Sequence, residues 1–458
     1  MKKSIILIFA LFIQIYGYTQ SNNISYPQIN TQQDKLFGLS KVWSEIKYNF
    51  VNIDRIDFDL DSLYNSTIPI ILNTTNDIEY YDALQRFIAS FNDGHTELIE
   101  RTYGWNEYND YIPANVTDID GKIYFTTIRK NAGIDSTLLG AEILEIEDIP
   151  VKKYIEQYVY PDISASTDNH RWFQSISKLL SGRKDTYLKG RARKVDGSIV
   201  NFSIERNGET TRTPNDSYWV WAKETKQQNR SRINLTWDGE IAILNIRAFW
   251  PETLCTEIDS LASLVNEKAK GLVIDLRANG GGSSNVAEHL QMYLEHNRTF
   301  LSFGSQTRIN DSYGRSQGNY RDEYKDFYLG KAYKENNPDT IIVDKKIKPF
   351  DCPVIILIGK YTFSAAEDFL VNIYEVPNRP LLIGEPTGGS TGAPLMVPLP
   401  HGALARICSL RILFPYSGKP FVGKGIQPDI ITKQNVSDFL NGKDTVLDTA
   451  MKYFNSKN

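Results

Sequence analysis

The run Val354-Ile355-Ile356-Leu357-Ile358-Gly359-Lys360-Tyr361-Thr362-Phe363-Ser364-Ala365-Ala366-Glu367-Asp368-Phe369 decides how this chain is read. Val354 to Ile358 is a continuous apolar run, the mark of a strand buried on both faces. A short turn follows, and a helix opens at Ser364. That order places the Ser364 hydroxyl at the carboxyl edge of a sheet and beside a helix N-terminus. First-turn N–H groups, beginning with Ala365, would face any oxyanion forming there. A plainer reading fits the same residues, because Ser364 with Glu367 three positions on is a capping box. One serine can serve both purposes.

Working upstream, Gly271-Leu272-Val273-Ile274-Asp275-Leu276-Arg277-Ala278-Asn279-Gly280-Gly281-Gly282-Ser283-Ser284 is a second buried strand that runs into three glycines. Gly280, Gly281 and Gly282 allow the backbone to approach a neighbouring loop or a bound carbonyl oxygen closely. A tight strand-to-helix turn is the simpler account of them. A nucleotide loop is disfavoured, since the Walker sequence needs a Lys-Ser/Thr ending that is absent. With Ile241 to Ile246 and Leu381 to Ile383, these runs predict a sheet covered by helices on both sides. The segment from Ser305 to Lys348, rich in Tyr, Asp, Lys and Asn, reads as a long insertion over that core.

Further upstream the periodicity changes twice. From Asp34 to Phe91 apolar residues recur at helical spacing, which predicts a small helical unit. Between about Tyr111 and Arg206 the pattern is of short alternating strands, Lys122 to Thr127, Glu142 to Ile146, Tyr187 to Ala192 and Ile199 to Ile204, with turns at Asp120-Gly121 and Asp196-Gly197. This β-rich module has no candidate nucleophile with a base beside it, so it is expected to take no part in bond chemistry. A tryptophan-bearing connector, Gly208 to Asp238, leads into the core.

The 458 residues leave room for about three domains at ~150 residues each. Lysine and arginine number 51 against 55 acidic residues, a formal charge of −4 with no basic block, so nucleic acid is not an expected partner. Cys255, Cys352 and Cys408 are too few and too scattered for a zinc cluster or a disulfide framework. No H-E-x-x-H or similar spacing occurs, and neither metal nor cofactor is expected. At the start, Met1-Lys2-Lys3-Ser4 precedes an apolar run from Ile5 to Ile13, the pattern of a signal peptide and too short to span a bilayer. Gly17 and Thr19 are small residues placed for cleavage, so a mature chain from about Gln20, periplasmic or secreted, is expected. No later run reaches the ~20 apolar residues of a membrane span.

Only five histidines, His95, His170, His289, His296 and His401, compete for the role of general base. His95 follows the turn signal Asp93-Gly94 at the end of the helical pattern, where a loop can deliver an imidazole to another domain. A solvated loop histidine is the bland alternative. His289 lies on the helix after the glycine loop and His296 near its end, where surface and capping roles are the default.

Taken together, Asp93-Gly94-His95-Thr96, the Ile274 to Gly282 loop, Thr362-Phe363-Ser364-Ala365-Ala366-Glu367 and Gly384-Glu385-Pro386-Thr387-Gly388-Gly389-Ser390-Thr391-Gly392 resemble, in order and spacing, the tail-specific (C-terminal processing) serine peptidase family. Gly425-Ile426-Gln427-Pro428-Asp429 and the closing Gly442-Lys443-Asp444 helix are also similar to it, so the resemblance covers roughly Asp34 to Phe454. It implies an α/β peptidase core, a ClpP/crotonase-like β-α superhelix, with an N-terminal helical unit and a PDZ-like β-rich module. The divisions it implies are a signal peptide over 1–19, a helical domain over 20–105, a PDZ-like domain over 106–212, the protease core over 213–435 and a C-terminal helix over 436–458. Leu139 to Val151 looks like the central PDZ strand and turn.

Two active-site designs exist in that family. One pairs the serine with a lysine about two dozen residues downstream; here Ser390 occupies that place. The tricorn-like branch, which also resembles interphotoreceptor retinoid-binding protein, uses a histidine from the D-G-H-T-like loop, and His95 matches it. The residues that orient the base in tricorn protease fall here at Gly94 and Val422, leaving Asp93, Thr96, Glu367 and Glu385 as candidates for the third member. The resemblance implies acyl transfer: His95 takes the Ser364 proton, Ser364 attacks a peptide carbonyl, and the N–H groups of Ala365 and Gly281 hold the oxyanion, with Gly280 or Gly282 as near alternatives and substrate-binding positions. The expected partner is a peptide or unfolded protein, bound as an added strand near Gly280 to Ser284. His95, with an ordinary pKa near ~6.5, would lose activity through about pH 6 to 7. Lys360, Lys419 and Lys424 are rival bases, and a non-catalytic carrier of apolar ligands is the rival function on the same fold.

Overall fold

Val354–Ile358 is a strand at the centre of a six-stranded sheet in the computed structural model, which describes residues 26–222 and 231–457. The stretch read as a signal peptide, with its cleavage site, lies outside the described residues. Across the sheet the strands run Ile233–Asp238, Ile241–Ile246, Gly271–Asp275, Val354–Ile358, Leu381–Gly384 and Ile430–Ile431. The first pair is antiparallel and the other four pairs are parallel. Side chains alternate between the two faces, as a period of two requires. Leu272, Ile274, Ile356 and Ile358 join the core with the helices Leu254–Lys268, Ser284–Met292 and Ala365–Tyr374. Val273, Ile355 and Leu357 face the other way, against Val446, Ala450 and Phe454 of the C-terminal helix Thr445–Lys457. Both faces being covered explains why these strands read as continuous apolar runs.

Ile356 is fully buried in the middle of this sheet. Ile356→Val is expected to lower the midpoint of urea unfolding with an unchanged slope, a loss of about 1 kcal/mol.

The expected strands of the β-rich module are present, each extended by up to two residues, in a seven-stranded antiparallel sheet with its own core. The connector contributes Tyr218–Val220 to that sheet's edge, paired with Thr127 to Arg129. Across the sheet lies the helix Asp168–Leu180. The tyrosine-rich insertion is more built than its composition suggested. Gly304–Arg308 pairs with Tyr333–Asn336 on one side and with Leu410–Leu413 on the other, and two short helices, Ser312–Gln317 and Lys325–Leu329, fill the connection.

The helical unit is made of Gln32–Asn49, Leu60–Leu72 and Asp77–Ala89. Its apolar faces pack with Val397, Leu399, Ala405, Ile407 and Cys408 of the hairpin Pro394–Pro398/Leu404–Cys408. Glu97–Glu100 then pairs with Leu404–Cys408, Glu97 opposite Arg406. The turn before that strand carries His95, so the hairpin fixes where the histidine enters the core. The loops 275–284, 359–364 and 385–391 all leave the carboxyl ends of parallel strands, the usual location of sites in such sheets. Among the described residues no helix is long and apolar enough to cross a membrane.

Candidate active site

Ser364 sits at the head of the helix Ala365–Tyr374 with φ +57° and ψ −129°, a region that costs a non-glycine residue about 1–3 kcal/mol. Its hydroxyl does not cap the helix, so the capping-box alternative is not realised. The strained backbone is held on both sides. Ser364 N–H donates to the Ser390 carbonyl at 3.1 Å, and the Ser364 carbonyl accepts from Glu367 and Asp368. Gly281 lies against it: a Cβ there would fall 2.6 Å from the Ser364 Cβ, and Gly281 itself has φ +102°. The close approach between two loops is what the glycines permit.

The His95 imidazole is almost fully buried and makes one bond from each ring nitrogen. Nε2 is 3.1 Å from Ser364 Oγ, and Nδ1 is 2.8 Å from Ser390 Oγ. With Nδ1–H donating to Ser390, Nε2 is left as an acceptor facing the Ser364 hydroxyl. Burial pushes the imidazole down to about 3, helped by the Arg406 guanidinium and by His170, because the charged form loses its hydration. The ring is therefore neutral through the physiological range.

The remaining candidates separate cleanly by contact. Asp93 is buried and accepts from His95 N–H at 2.9 Å, Asn52 Nδ2 at 3.0 Å and Thr96 Oγ1 at 3.0 Å. Both Asp93 and Thr96 thus shape the turn without touching the imidazole. Val422 is buried in the apolar core. Glu367 is fully buried and accepts from Thr387 Oγ1, from Gly389 N–H at 2.7 Å and from Ser390 N–H at 2.9 Å. These donors favour its charged form while burial opposes it more strongly, and its carboxyl is pushed up to about 8. Glu367 thus clamps the loop that carries Ser390 onto the helix that begins with Ser364. Ser390 is the group on His95 Nδ1, a role sequence reasoning did not assign to it.

Lys360 is held by Asp118 at 2.7 Å and Glu385 at 3.3 Å. Despite its burial these carboxylates keep its ammonium protonated, pushing its pKa up, the wrong direction for a base. Lys419 and Lys424 are exposed. His289 pairs with Asp259 and His401 with Asp34, both away from Ser364. Of the oxyanion candidates, Ala365 N–H is the first of the helix and has no intrahelical acceptor. Gly281 N–H is taken by Asn279 Oδ1 at 2.9 Å. Gly282 is bridged to Phe249 on one edge, and a Cβ on Gly280 would lie 3.0 Å from Tyr361 Oη. Among the described residues no cluster of three or more His, Cys, Asp or Glu could hold a metal ion. All three cysteines are unpaired.

Comparison with known proteins bears on this core. Residues 240–432 match the model of peptidase family S41. A carboxy-terminal-processing protease of Bartonella bacilliformis is 27% identical over 214 residues, 46% of this chain and 43% of the relative. The carboxy-terminal processing protease CtpA of Bacillus subtilis is 23% identical over 254 residues, 55% of this chain and 44% of the relative. The chain therefore spans less than half the length of the curated relatives it matches. In fold it is similar to mature CPAF, with a TM-score of 0.68 at 15% identity over 92% of this chain and 96% of that one. His95 lies outside the matched segment and Ser364 and Ser390 within it. The resemblance read from the sequence is thereby supported over its core, residues 240–432, which match peptidase family S41.

Proposed function

We propose that this chain is an exported serine peptidase that hydrolyses peptide bonds through a Ser364 acyl-enzyme, with His95 as general base and then general acid. The observation that carries the reading is the 3.1 Å contact between His95 Nε2 and Ser364 Oγ, made across 269 residues of sequence separation. A structural serine at a strained helix start has no need of a buried neutral imidazole, whereas a nucleophile does. Ser390, on Nδ1, orients the base. Ala365 N–H is one oxyanion donor. Gly281 supplies the second once its amide turns from Asn279 to the substrate, with Gly280 and Gly282 the neighbouring alternatives. His95 returns the proton to the leaving amine, and water attacks the ester.

The substrate is a peptide or unfolded segment. Phe249 covers one edge of Gly281 to Ser283, so an added strand would use the other. The β-rich module is read as PDZ-like, the core as a ClpP/crotonase-like superhelix, and export follows from the charged start and short apolar run. Turnover of casein by the purified full chain tests the reading against an apolar-ligand carrier. Proteolysis that disappears in Ser364→Ala supports it; saturable retinoid binding with no proteolysis and no reaction at Ser364 sinks it.

The burial of His95 revises the pH dependence expected from its ordinary pKa. Its neutral form, the one that can accept a proton, persists well below pH 6. Acylation of Ser364 by a fluorophosphonate at about pH 5 is expected to stay within about twofold of its rate at pH 7. A midpoint near 6.5 would mean that the imidazole is solvated in the working enzyme.

A further inference from the structure

Two in-plane hydrogen bonds, to Ser364 and to Ser390, define a line through the His95 ring and leave it free to roll about that line. The ring plane needs a face contact. Phe363 supplies it: the phenyl and the His95 imidazole lie 4.7 Å apart and 3° from parallel. The other phenyl face carries the His170 imidazole, 4.8 Å away and 9° from parallel. Two glycines make the slot for this phenyl. A Cβ on Gly94 would fall 2.9 Å from Phe363 Cζ, and one on Gly388 would fall 2.6 Å from Phe363 Cδ2 and 3.0 Å from His170 Nδ1.

His170 comes from the helix Asp168–Leu180, which packs across the β-rich module, and it is buried. It is pinned in turn. Nδ1 is 2.9 Å from the Lys360 carbonyl, so that nitrogen carries the proton, and Nε2 faces Gln174 Nε2 at 2.6 Å. The start of the same helix also reaches the loops that carry His95 and Ser390. Ser166 Oγ accepts from Gly94 N–H at 3.0 Å, Thr167 Oγ1 donates to the Gly388 carbonyl at 3.0 Å, and Asn169 Nδ2 donates to the Pro386 carbonyl at 2.9 Å. A module expected to stand apart from the chemistry therefore holds the His95, Ser364 and Ser390 loops against one another.

We propose that His170 and Phe363 are positioning residues for His95, a stack of three rings through which the β-rich module sets the plane of the base. This rests on the serine-histidine reading of the site. Neither His170 nor Phe363 takes part in the proton transfer between Ser364 and His95. Its effect would be on how often the neutral imidazole is aligned with the Ser364 hydroxyl, which enters kcat and leaves substrate binding alone.

The test uses the full chain and four variants: His170→Ala, His170→Phe, His170→Gln and Phe363→Leu. Each is assayed on a short chromogenic peptide ester and followed by NMR of 13C-labelled histidine. His170→Ala is expected to lower kcat about tenfold with KM within about twofold of wild type. His170→Phe restores the ring face without the Lys360 bond and should recover most of kcat. His170→Gln keeps a donor for the Lys360 carbonyl without the ring and should not, although it folds. Phe363→Leu should lower kcat by about thirtyfold and move the His95 titration upward, since water then reaches the ring. Of the charged and titratable groups around that ring, Arg406, Asp93, Glu97 and Glu367 beyond Ser390 are unchanged in the series, and His170, which also acts on His95, is kept only in Phe363→Leu, so the His95 titration is compared between that variant and the wild type. Wild-type kcat in His170→Ala with an unmoved His95 signal would overturn the proposal, as would equal kcat in His170→Phe and His170→Ala. If the wild type itself proves inert at Ser364, the serine-histidine reading fails instead. The His95 titration in Phe363→Leu then still decides whether the stack governs the ring.

Discussion

His95→Ala is expected to reduce peptide turnover and Ser364 acylation by on the order of a thousandfold or more, close to the loss in Ser364→Ala. The size follows from how the three groups act together. Among the described residues Ser364 Oγ has one basic hydrogen-bond partner, His95 Nε2 at 3.1 Å, and without it the hydroxyl must lose its proton unaided. Lysines cannot take over. Lys360 lies in the nucleophile loop itself, and its ammonium is committed to Asp118 and Glu385. Lys419→Ala and Lys424→Ala, at exposed positions, should retain wild-type rates. Lys360→Ala leaves two carboxylates facing each other, and its loss should show in thermal stability as much as in rate. Near wild-type cleavage by His95→Ala would end the serine-histidine assignment even if a peptidase remained.

Ser390→Ala should lower kcat by about ten- to a hundredfold with little change in KM. Its hydroxyl is the acceptor that keeps the proton of His95 on Nδ1, and without it the tautomer with a protonated Nε2, useless as a base, becomes competitive. The effect is set below that of removing the carboxylate of a Ser-His-Asp triad because a hydroxyl stabilises the imidazolium less than a charge does. The backbone contacts of Ser390, its carbonyl to Ser364 N–H and its N–H to Glu367, survive the substitution. Ser390→Thr keeps the hydroxyl and should recover most of the activity. Equal kcat in wild type and Ser390→Ala would show that the ring is oriented by other means.

The sheet was legible because strands such as Val354–Ile358 and Gly271–Asp275 are buried on both faces and leave unbroken apolar runs. The helical unit and the strands of the β-rich module were legible from their two periods. The insertion was not, because strands such as Tyr333–Asn336 are mostly exposed and carry no apolar alternation. His95 and Ser364 could be paired from motif order. Their partner could not, since the candidates were Asp93, Thr96, Glu367 and Glu385, and the atom on Nδ1 is the Ser390 hydroxyl. The signal was available in Ser390 standing where related enzymes place a lysine. His170 was silent for a different reason: a histidine in a helix of another module looks like any half-buried helical residue until the loops meet. Gly94 read as part of a turn signal and Gly388 as part of a motif, and the reason for both, the Phe363 ring, is a contact across the chain.

The most direct measurement is the site of covalent reaction. The purified full chain is treated with a fluorophosphonate at neutral pH, digested and mapped by mass spectrometry, alongside His95→Ala and Ser364→Ala. One phosphonyl adduct is expected, on the peptide bearing Ser364, formed in the wild type and lost in both variants. A wild-type chain that takes no adduct at Ser364 while remaining folded, or one whose labelling of Ser364 is untouched by His95→Ala, would contradict it.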